Sequence, residues 1–165
     1  MKLALPDVPS IFFKSRGTVQ YPGKDVSVPP IAQNDEMDFE VELAILIGKD
    51  CKNASEEDAL SYVVGYTCAN DLTARKVQDT SSQWSFAKST SSRRWMLELT
   101  AGFDNFCPVG PVLVSPRALP NPSVVRLQTH LNGEKMQDGF ETSMIFSIPK
   151  SVLFLIAVSS FQVIS

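Results

Sequence analysis

Segment 37–48, MDFEVELAILIG, limits the possible folds more than any other part of the chain. Polar and apolar residues alternate through its first half, and its second half is continuously apolar. Alternation is typical of a β-strand with one solvated face, whereas a continuous apolar run is typical of a strand that is buried on both faces. We therefore predict a strand that begins at an accessible rim and continues into a protein core.

Shorter patterns predict the remaining elements. Asn132-Gly133 favours a hairpin turn, and the acidic residues after Ser55 favour a helix that ends near Gly65. Strands outnumber helices in this prediction. The other predicted elements are strands at 10–14, 66–69, 124–131, 134–137 and 144–148, a turn leading into a strand at 108–114, and a short helix at 72–78.

The composition is that of a soluble globular protein. The chain has 165 residues, of which 44% are hydrophobic and 20% charged, so it can bury a core without disulfides or a structural metal. Its net charge of −3 and the lack of a basic stripe argue against a nucleic-acid partner. Three widely spaced cysteines form neither a disulfide framework nor a zinc motif, which favours a reducing compartment, cytoplasmic or mitochondrial.

Residues 151–165 are the one candidate for a membrane segment. The run is shorter than the roughly 20 residues that a spanning helix needs, and its second half carries Ser159, Ser160 and Gln162. We therefore predict a buried helix or strand there, opened by Pro149, and no membrane partner.

Three carboxylates recur at every second residue of the rim segment, at Asp38, Glu40 and Glu42. Side chains two apart on a strand point to the same face, and the Cα atoms of Glu40 and Glu42 would be roughly 7 Å apart. Carboxylates so close repel one another, and a divalent cation relieves that repulsion. The alternative is a solvated polar face on an edge strand.

Asp71 follows the strand predicted at 66–69. A carboxylate at a strand end could supply a third oxygen ligand for a cation, or it could simply cap the helix predicted at 72–78. Arg75 and Gln78 are three residues apart and therefore share one face of that helix. Such a pair could bind the carboxylate or carbonyl group of a substrate.

Two further residues have a functional and an ordinary interpretation. Lys88 could polarise a substrate oxygen, or it could be a solvated loop lysine. His130, the single histidine, falls on the polar face of a predicted hairpin strand and is expected to be solvated. No Ser–His–Asp or Cys–His arrangement is supported, because this histidine has no plausible nucleophile partner.

Six strings occur in a particular order along the chain: DFEVELAILIGK (38–49), GYTCANDLTARKVQ (65–78), QWSFAK (83–88), FDNFCPVGPVLV (103–114), LNGEKMQDG (131–139) and MIFSIPK (144–150). Together they resemble the fumarylacetoacetate hydrolase family, in its fumarylacetoacetase-like C-terminal domain. The ExE strand and the NDxTxR–Q pair are the most specific of these matches. The resemblance covers most of residues 5–155.

The resemblance implies a fold class and an activity. The fold would be mainly β (α+β), a mixed β-roll with a few short helices, and the protein would be a homodimer. The reaction would be hydrolysis, decarboxylation or isomerisation of a small 2-oxo or β-dicarbonyl acid of the acylpyruvate, fumarylpyruvate or oxaloacetate type, through a metal-stabilised enolate.

The resemblance also implies residue roles. Glu40, Glu42 and Asp71 would bind Mg²⁺ or Mn²⁺. Lys88 would be the catalytic lysine that stabilises enolate charge. Arg75 and Gln78 would contact the substrate or brace the metal ligands.

Three departures from the family pattern lead to an alternative function. No histidine precedes Glu40, residues 89–101 intervene as a probable insertion, and the TGTP-like closing strand of the family is absent after 148–150. We therefore expect a single domain over 1–165 that is incomplete at both ends. The alternative is a catalytically inactive, truncated member that acts as a binding or dimerisation partner.

Overall fold

The computed structural model describes residues 5–52, 54–80 and 103–158. The chain divides into two compact units. The site unit comprises Ile11–Glu42 and Cys68–Val112, and the hairpin unit comprises Met1–Ser10, Leu43–Thr67 and Leu113–Ser165. The single domain over 1–165 stays a prediction, and the proposed insertion at 89–101 lies outside the described residues.

Strands predominate in the described chain, which confirms the mainly β (α+β) prediction. The strands form four two-stranded pairs, of which β1–β6 is parallel, β2–β5 and β7–β8 are antiparallel, and β3–β4 is the fourth. Their bounds are β1 Val19–Gln20, β2 Met37–Asp38, β3 Val41–Ile47, β4 Val63–Asn70, β5 Thr73–Ala74, β6 Cys107–Pro108, β7 Arg126–Leu131 and β8 Glu134–Phe140. The α-helices are α1, Arg75–Thr80, and α2, Ile148–Val158.

The long strand predicted at 37–48 is interrupted. It forms as β2 and β3, with Phe39 and Glu40 between them. The N–H of Phe39 donates to the Asp38 carboxylate at 2.8 Å, a local bond that takes the place of a strand-to-strand bond at the break. The chain therefore changes its pairing partner beside the acidic residues: Asp38 lies in β2, which pairs with β5, whereas Glu40 immediately precedes β3, which pairs with β4.

The core of the site unit surrounds Phe106, whose side chain is 0% exposed. The rings of Phe103 and Phe106 lie 4.9 Å apart between centroids. The buried side chains that pack around Phe106 are Ala32, Leu72, Ala74 and Val77. Since Leu72 precedes β5 and Ala74 lies in it, this core supports the chain from the end of β4 to the start of α1.

The hairpin unit contains the predicted turn. Asn132 and Gly133 have φ values of 53° and 85°, as a type I′ turn requires, and they join β7 to β8. This confirms the hairpin prediction. In the same unit, Ile148 and Val152 of α2 pack against Cys51 and Ala59, so the predicted C-terminal apolar segment begins as a helix. Neither α-helix in the described residues has the length and apolar character that a membrane crossing needs.

Several local predictions are wrong. Residues 10–14 and 144–148 form no strand. The helix predicted after Ser55 is a turn followed by a 3₁₀-helix at Ala59–Tyr62. There the Ser55 hydroxyl accepts the N–H of Asp58 at 3.1 Å and donates to its carboxylate at 2.7 Å, and such local bonds compete with a regular helix.

Candidate metal centre

Three carboxylates meet in the site unit. Glu40, Glu42 and Asp71 each offer an oxygen, and these oxygens lie within 4.8 Å of one another. Of the described residues, these are the one group of three or more potential metal ligands. Asp71 is 2% exposed, Glu40 is half-buried and Glu42 is exposed. The group therefore runs from solvent to the protein interior.

Backbone pairing brings the three acids together. Glu40 immediately precedes β3 and Glu42 lies within it, whereas Asp71 immediately follows β4. The N–H of Asp71 donates to the Glu40 carbonyl at 2.8 Å, which holds the end of β4 beside the start of β3. Asp71 does not cap a helix, because Thr73–Ala74 pair with β2 and α1 begins only at Arg75.

Lys14 is the residue that sequence reasoning missed. Its ammonium lies 2.6 Å from Asp71 Oδ1 and donates to the carbonyls of Leu72 at 2.9 Å and Phe106 at 2.7 Å. The side chain is 12% exposed. Sequence spacing held no signal for this contact, because the two carbonyls are 58 and 92 positions from Lys14.

Arg75 braces the outer part of the site. Its Nη2 lies 2.6 Å from Glu40 Oε1, its Nε donates to Asp38 at 2.8 Å, and its Nη1 donates to Gln78 Oε1 at 2.7 Å. Burial alone would lower the pKa of Arg75, but the bonds to Glu40 and Asp38 raise it above its ordinary value. Arg75 therefore remains a cation that holds Glu40 in place.

The remaining predicted residues are not members of the group of three carboxylates, or they lie outside the described residues. Gln78 reaches the site through Arg75. Asp38 is an ion-pair partner of Arg75 and does not belong to the group of three. Lys88 lies outside the described residues. His130 is exposed in β7 of the hairpin unit, as the sequence predicted.

The chemistry of the described residues fits a hard divalent cation. Three carboxylates converge there, and carboxylate oxygens are the ligands that Mg²⁺ prefers. Burial raises the pKa of the nearby Cys107 thiol, and the charge of Lys14 opposes the rise.

One buried polar atom beside the site supports the same interpretation. Asn70 Oδ1, adjacent to Asp71 in the chain, is buried and accepts no hydrogen bond from the described residues. Buried carbonyl oxygens are normally paired, and an exception commonly marks a place where water or an ion binds. The roles of Glu40, Glu42 and Asp71 as metal ligands nevertheless stay predictions.

Comparison with known proteins identifies the family. The model of the fumarylacetoacetate (FAA) hydrolase C-terminal domain matches residues 1–163. The chain belongs to this family. Among solved structures, the 5-carboxymethyl-2-hydroxymuconate delta-isomerase from Mycobacterium smegmatis matches with a TM-score of 0.80 and 32% identity, over 98% of this chain and 57% of that one. The family and fold that the sequence strings indicated are thus confirmed.

Several curated relatives are enzymes by name. The oxaloacetate tautomerase of Bacillus subtilis is 37% identical over 148 residues, which are 90% of this chain and 44% of the tautomerase. The 2,4-didehydro-3-deoxy-L-rhamnonate hydrolase of Sphingomonas is 34% identical over 154 residues, 93% of this chain and 49% of the hydrolase. The chain spans about half the length of the curated relatives it matches, between 40% and 59%.

An Arg75→Lys variant tests the bracing of Glu40. Lysine keeps the charge but cannot make the forked contacts to Asp38, Glu40 and Gln78, so Glu40 should lose its fixed position. We expect the dissociation constant for Mg²⁺, measured by isothermal titration, to rise about tenfold, as is typical when a partner that orients a ligand is lost. Lys76→Arg, one position along the same helix and exposed, should leave it unchanged. Equal affinities in the Arg75→Lys variant and the parent would show that Glu40 needs no brace.

Proposed function

We propose that the chain is a Mg²⁺- or Mn²⁺-dependent enzyme domain that acts on small 2-oxo or β-dicarbonyl acids. The observation that carries this proposal is the convergence of the Glu40, Glu42 and Asp71 oxygens within 4.8 Å, with Asp71 buried. Family relatives named as a tautomerase, a hydrolase and an isomerase support an oxo-acid substrate. The homodimer is proposed on the family resemblance alone.

In this proposal each described residue of the site has one task. Glu40, Glu42 and Asp71 hold the ion, Arg75 orients Glu40, and Lys14 orients Asp71. When bound, the ion supplies a Lewis acid that favours the enolate form of a 2-oxo acid. Glu42 is exposed, so the substrate would approach from its side of the cluster. The electrostatic role of Lys88 stays a prediction.

Among the reactions of this class, we propose keto–enol conversion of oxaloacetate as the first to test. This conversion moves one proton between the enol oxygen and carbon 3, and it breaks no carbon–carbon bond. It therefore demands less of the site than C–C hydrolysis, which also needs a positioned water, or decarboxylation. The relative named as an oxaloacetate tautomerase is 37% identical to this chain.

The proposal is tested by a matched pair of variants. Glu42→Gln removes one charged ligand at an exposed position, so folding should be unaffected, and the dissociation constant for Mg²⁺ should rise at least about tenfold because ligand charge sets affinity. Glu36→Gln makes the same chemical change in the same unit, at a residue that pairs with Lys76 at 3.9 Å and is not one of the three acids. It should bind Mg²⁺ as the parent does.

Activity is measured on the same proteins by following the loss of enol oxaloacetate with and without Mg²⁺. We expect metal-dependent turnover in the parent and in Glu36→Gln, and its loss in Glu42→Gln. If Mg²⁺ binds through the three acids but no oxo acid turns over, the alternative function as an inactive binding or dimerisation partner is favoured. If Glu42→Gln binds Mg²⁺ as tightly as the parent, the metal centre itself is wrong.

A further inference from the structure

Three oxygens lie close to the Lys14 ammonium. Asp71 Oδ1 lies 2.6 Å from it, and the carbonyls of Leu72 and Phe106 accept its hydrogens. These two carbonyls belong to buried core residues, and the Phe106 carbonyl also accepts the N–H of Leu72 at 3.2 Å. The ammonium therefore lies between two backbone carbonyls of core residues (the Lys14 cage) and beside one particular oxygen of Asp71.

We propose that Lys14 restricts Asp71 to binding a cation through a single oxygen, and that this makes the site prefer Mg²⁺ and Mn²⁺ to Ca²⁺. The inference rests on the proposed function, because it concerns the same metal centre. A cation that used both oxygens of Asp71 would have to approach Oδ1, where the fixed ammonium already lies, and the two positive charges would repel one another. Coordination through the other oxygen avoids this repulsion.

One-oxygen coordination matters because the two classes of cation differ in their demands. Ca²⁺ takes about six to eight oxygens and gains them readily from carboxylates that bind through both atoms. Mg²⁺ accepts six ligands in a strict octahedron and keeps several waters, so single oxygens from Glu40, Glu42 and Asp71 suit it well. Losing one carboxylate oxygen therefore weakens Ca²⁺ binding more than Mg²⁺ binding.

A simpler role for Lys14 gives a different result. If the ammonium only offsets negative charge, its removal should strengthen the binding of Mg²⁺ and Ca²⁺ by the same factor, since both carry two charges. If it masks Oδ1, its removal should strengthen Ca²⁺ binding selectively. The ratio of the two dissociation constants thus separates a restricting role from a charge-balancing one.

The experiment compares the parent, Lys14→Met and Lys76→Met by isothermal titration with Mg²⁺ and with Ca²⁺. Methionine preserves the length of the side chain and removes its charge. For Lys14→Met we expect the dissociation constant for Ca²⁺, divided by that for Mg²⁺, to fall about tenfold. This is the scale on which the number of ligands tunes the affinity of such sites. Lys76 is exposed and 3.9 Å from Glu36, so Lys76→Met should leave the ratio unchanged.

Two outcomes distinguish failure of the inference from failure of the proposed function. An unchanged ratio in a Lys14→Met protein that still binds Mg²⁺ overturns the restricting role and leaves the metal centre intact. Absence of Mg²⁺ binding in the parent overturns the proposed function, and this inference with it.

A second measurement uses the parent alone and decides the matter even if Lys14→Met does not fold. Crystals of the full chain are loaded with Mn²⁺, whose anomalous signal marks its position. We expect Mn²⁺ on one oxygen of Asp71, with Lys14 still paired with the other oxygen as an ion pair. Contact of Mn²⁺ with both oxygens, or displacement of Lys14 from Asp71, would overturn the inference.

Discussion

An Asp71→Asn variant should lose Mg²⁺ binding and should unfold at a lower urea concentration than the parent. Asparagine has nearly the same size, so the change removes charge without opening a cavity. Asp71 is 2% exposed and pairs with Lys14, which is 12% exposed. The variant therefore loses a proposed metal ligand and leaves a largely buried ammonium without its counter-charge. Removal of one partner of a buried ion pair typically lowers the unfolding free energy by about 3–5 kcal/mol.

The two effects are separated by comparing Asp71→Asn with Glu42→Gln. Both remove one carboxylate charge from the metal centre, but Glu42 is exposed, so its replacement should weaken Mg²⁺ binding at nearly constant stability. Urea unfolding without metal measures the structural contribution, and isothermal titration measures the contribution to binding. If both variants unfold like the parent, the Lys14–Asp71 pair does not stabilise the fold.

The part of the site that sequence predicts depends on local spacing. The period-two repeat of Glu40 and Glu42 predicts that their side chains lie on one side of a strand, and Asp71 is predicted at a strand end. Both expectations follow from rules that act over a few residues, as does the turn at Asn132-Gly133. These are the features that the structure reproduces.

The part that sequence does not predict depends on distant contacts. Lys14 reaches acceptors 58 and 92 positions away, and a lone lysine in an irregular segment gives no indication of such partners. Asp38 shares the period-two spacing of Glu40 and, like Glu40, pairs with Arg75, yet it does not belong to the group of three acids. In both cases a tertiary or side-chain contact overrides the local pattern, which is where single-sequence reasoning is weakest.

A Phe106→Ala variant tests how far the core of the site unit supports the metal centre. Phe106 is the largest fully buried side chain among the described residues, and it packs among Ala32, Leu72, Ala74 and Val77 beside the Phe103 ring. Truncation should therefore leave a cavity and reduce the unfolding free energy by about 3–5 kcal/mol in urea titrations. Phe13→Ala makes the same change in the same unit at a ring that is 78% exposed, and it should cost no more than about 0.5 kcal/mol.

The same variant shows whether core and site act independently. Phe106→Ala keeps the backbone carbonyl that accepts the Lys14 ammonium, so the folded variant should bind Mg²⁺ as the parent does. At a Mg²⁺ concentration 100 times the dissociation constant of the parent, Mg²⁺ should then raise the unfolding free energy of both proteins by about 2.7 kcal/mol. A smaller increment in Phe106→Ala would mean that the ring itself positions the Lys14 cage. An equal loss of stability in Phe13→Ala and Phe106→Ala would contradict the assignment of Phe106 to the core.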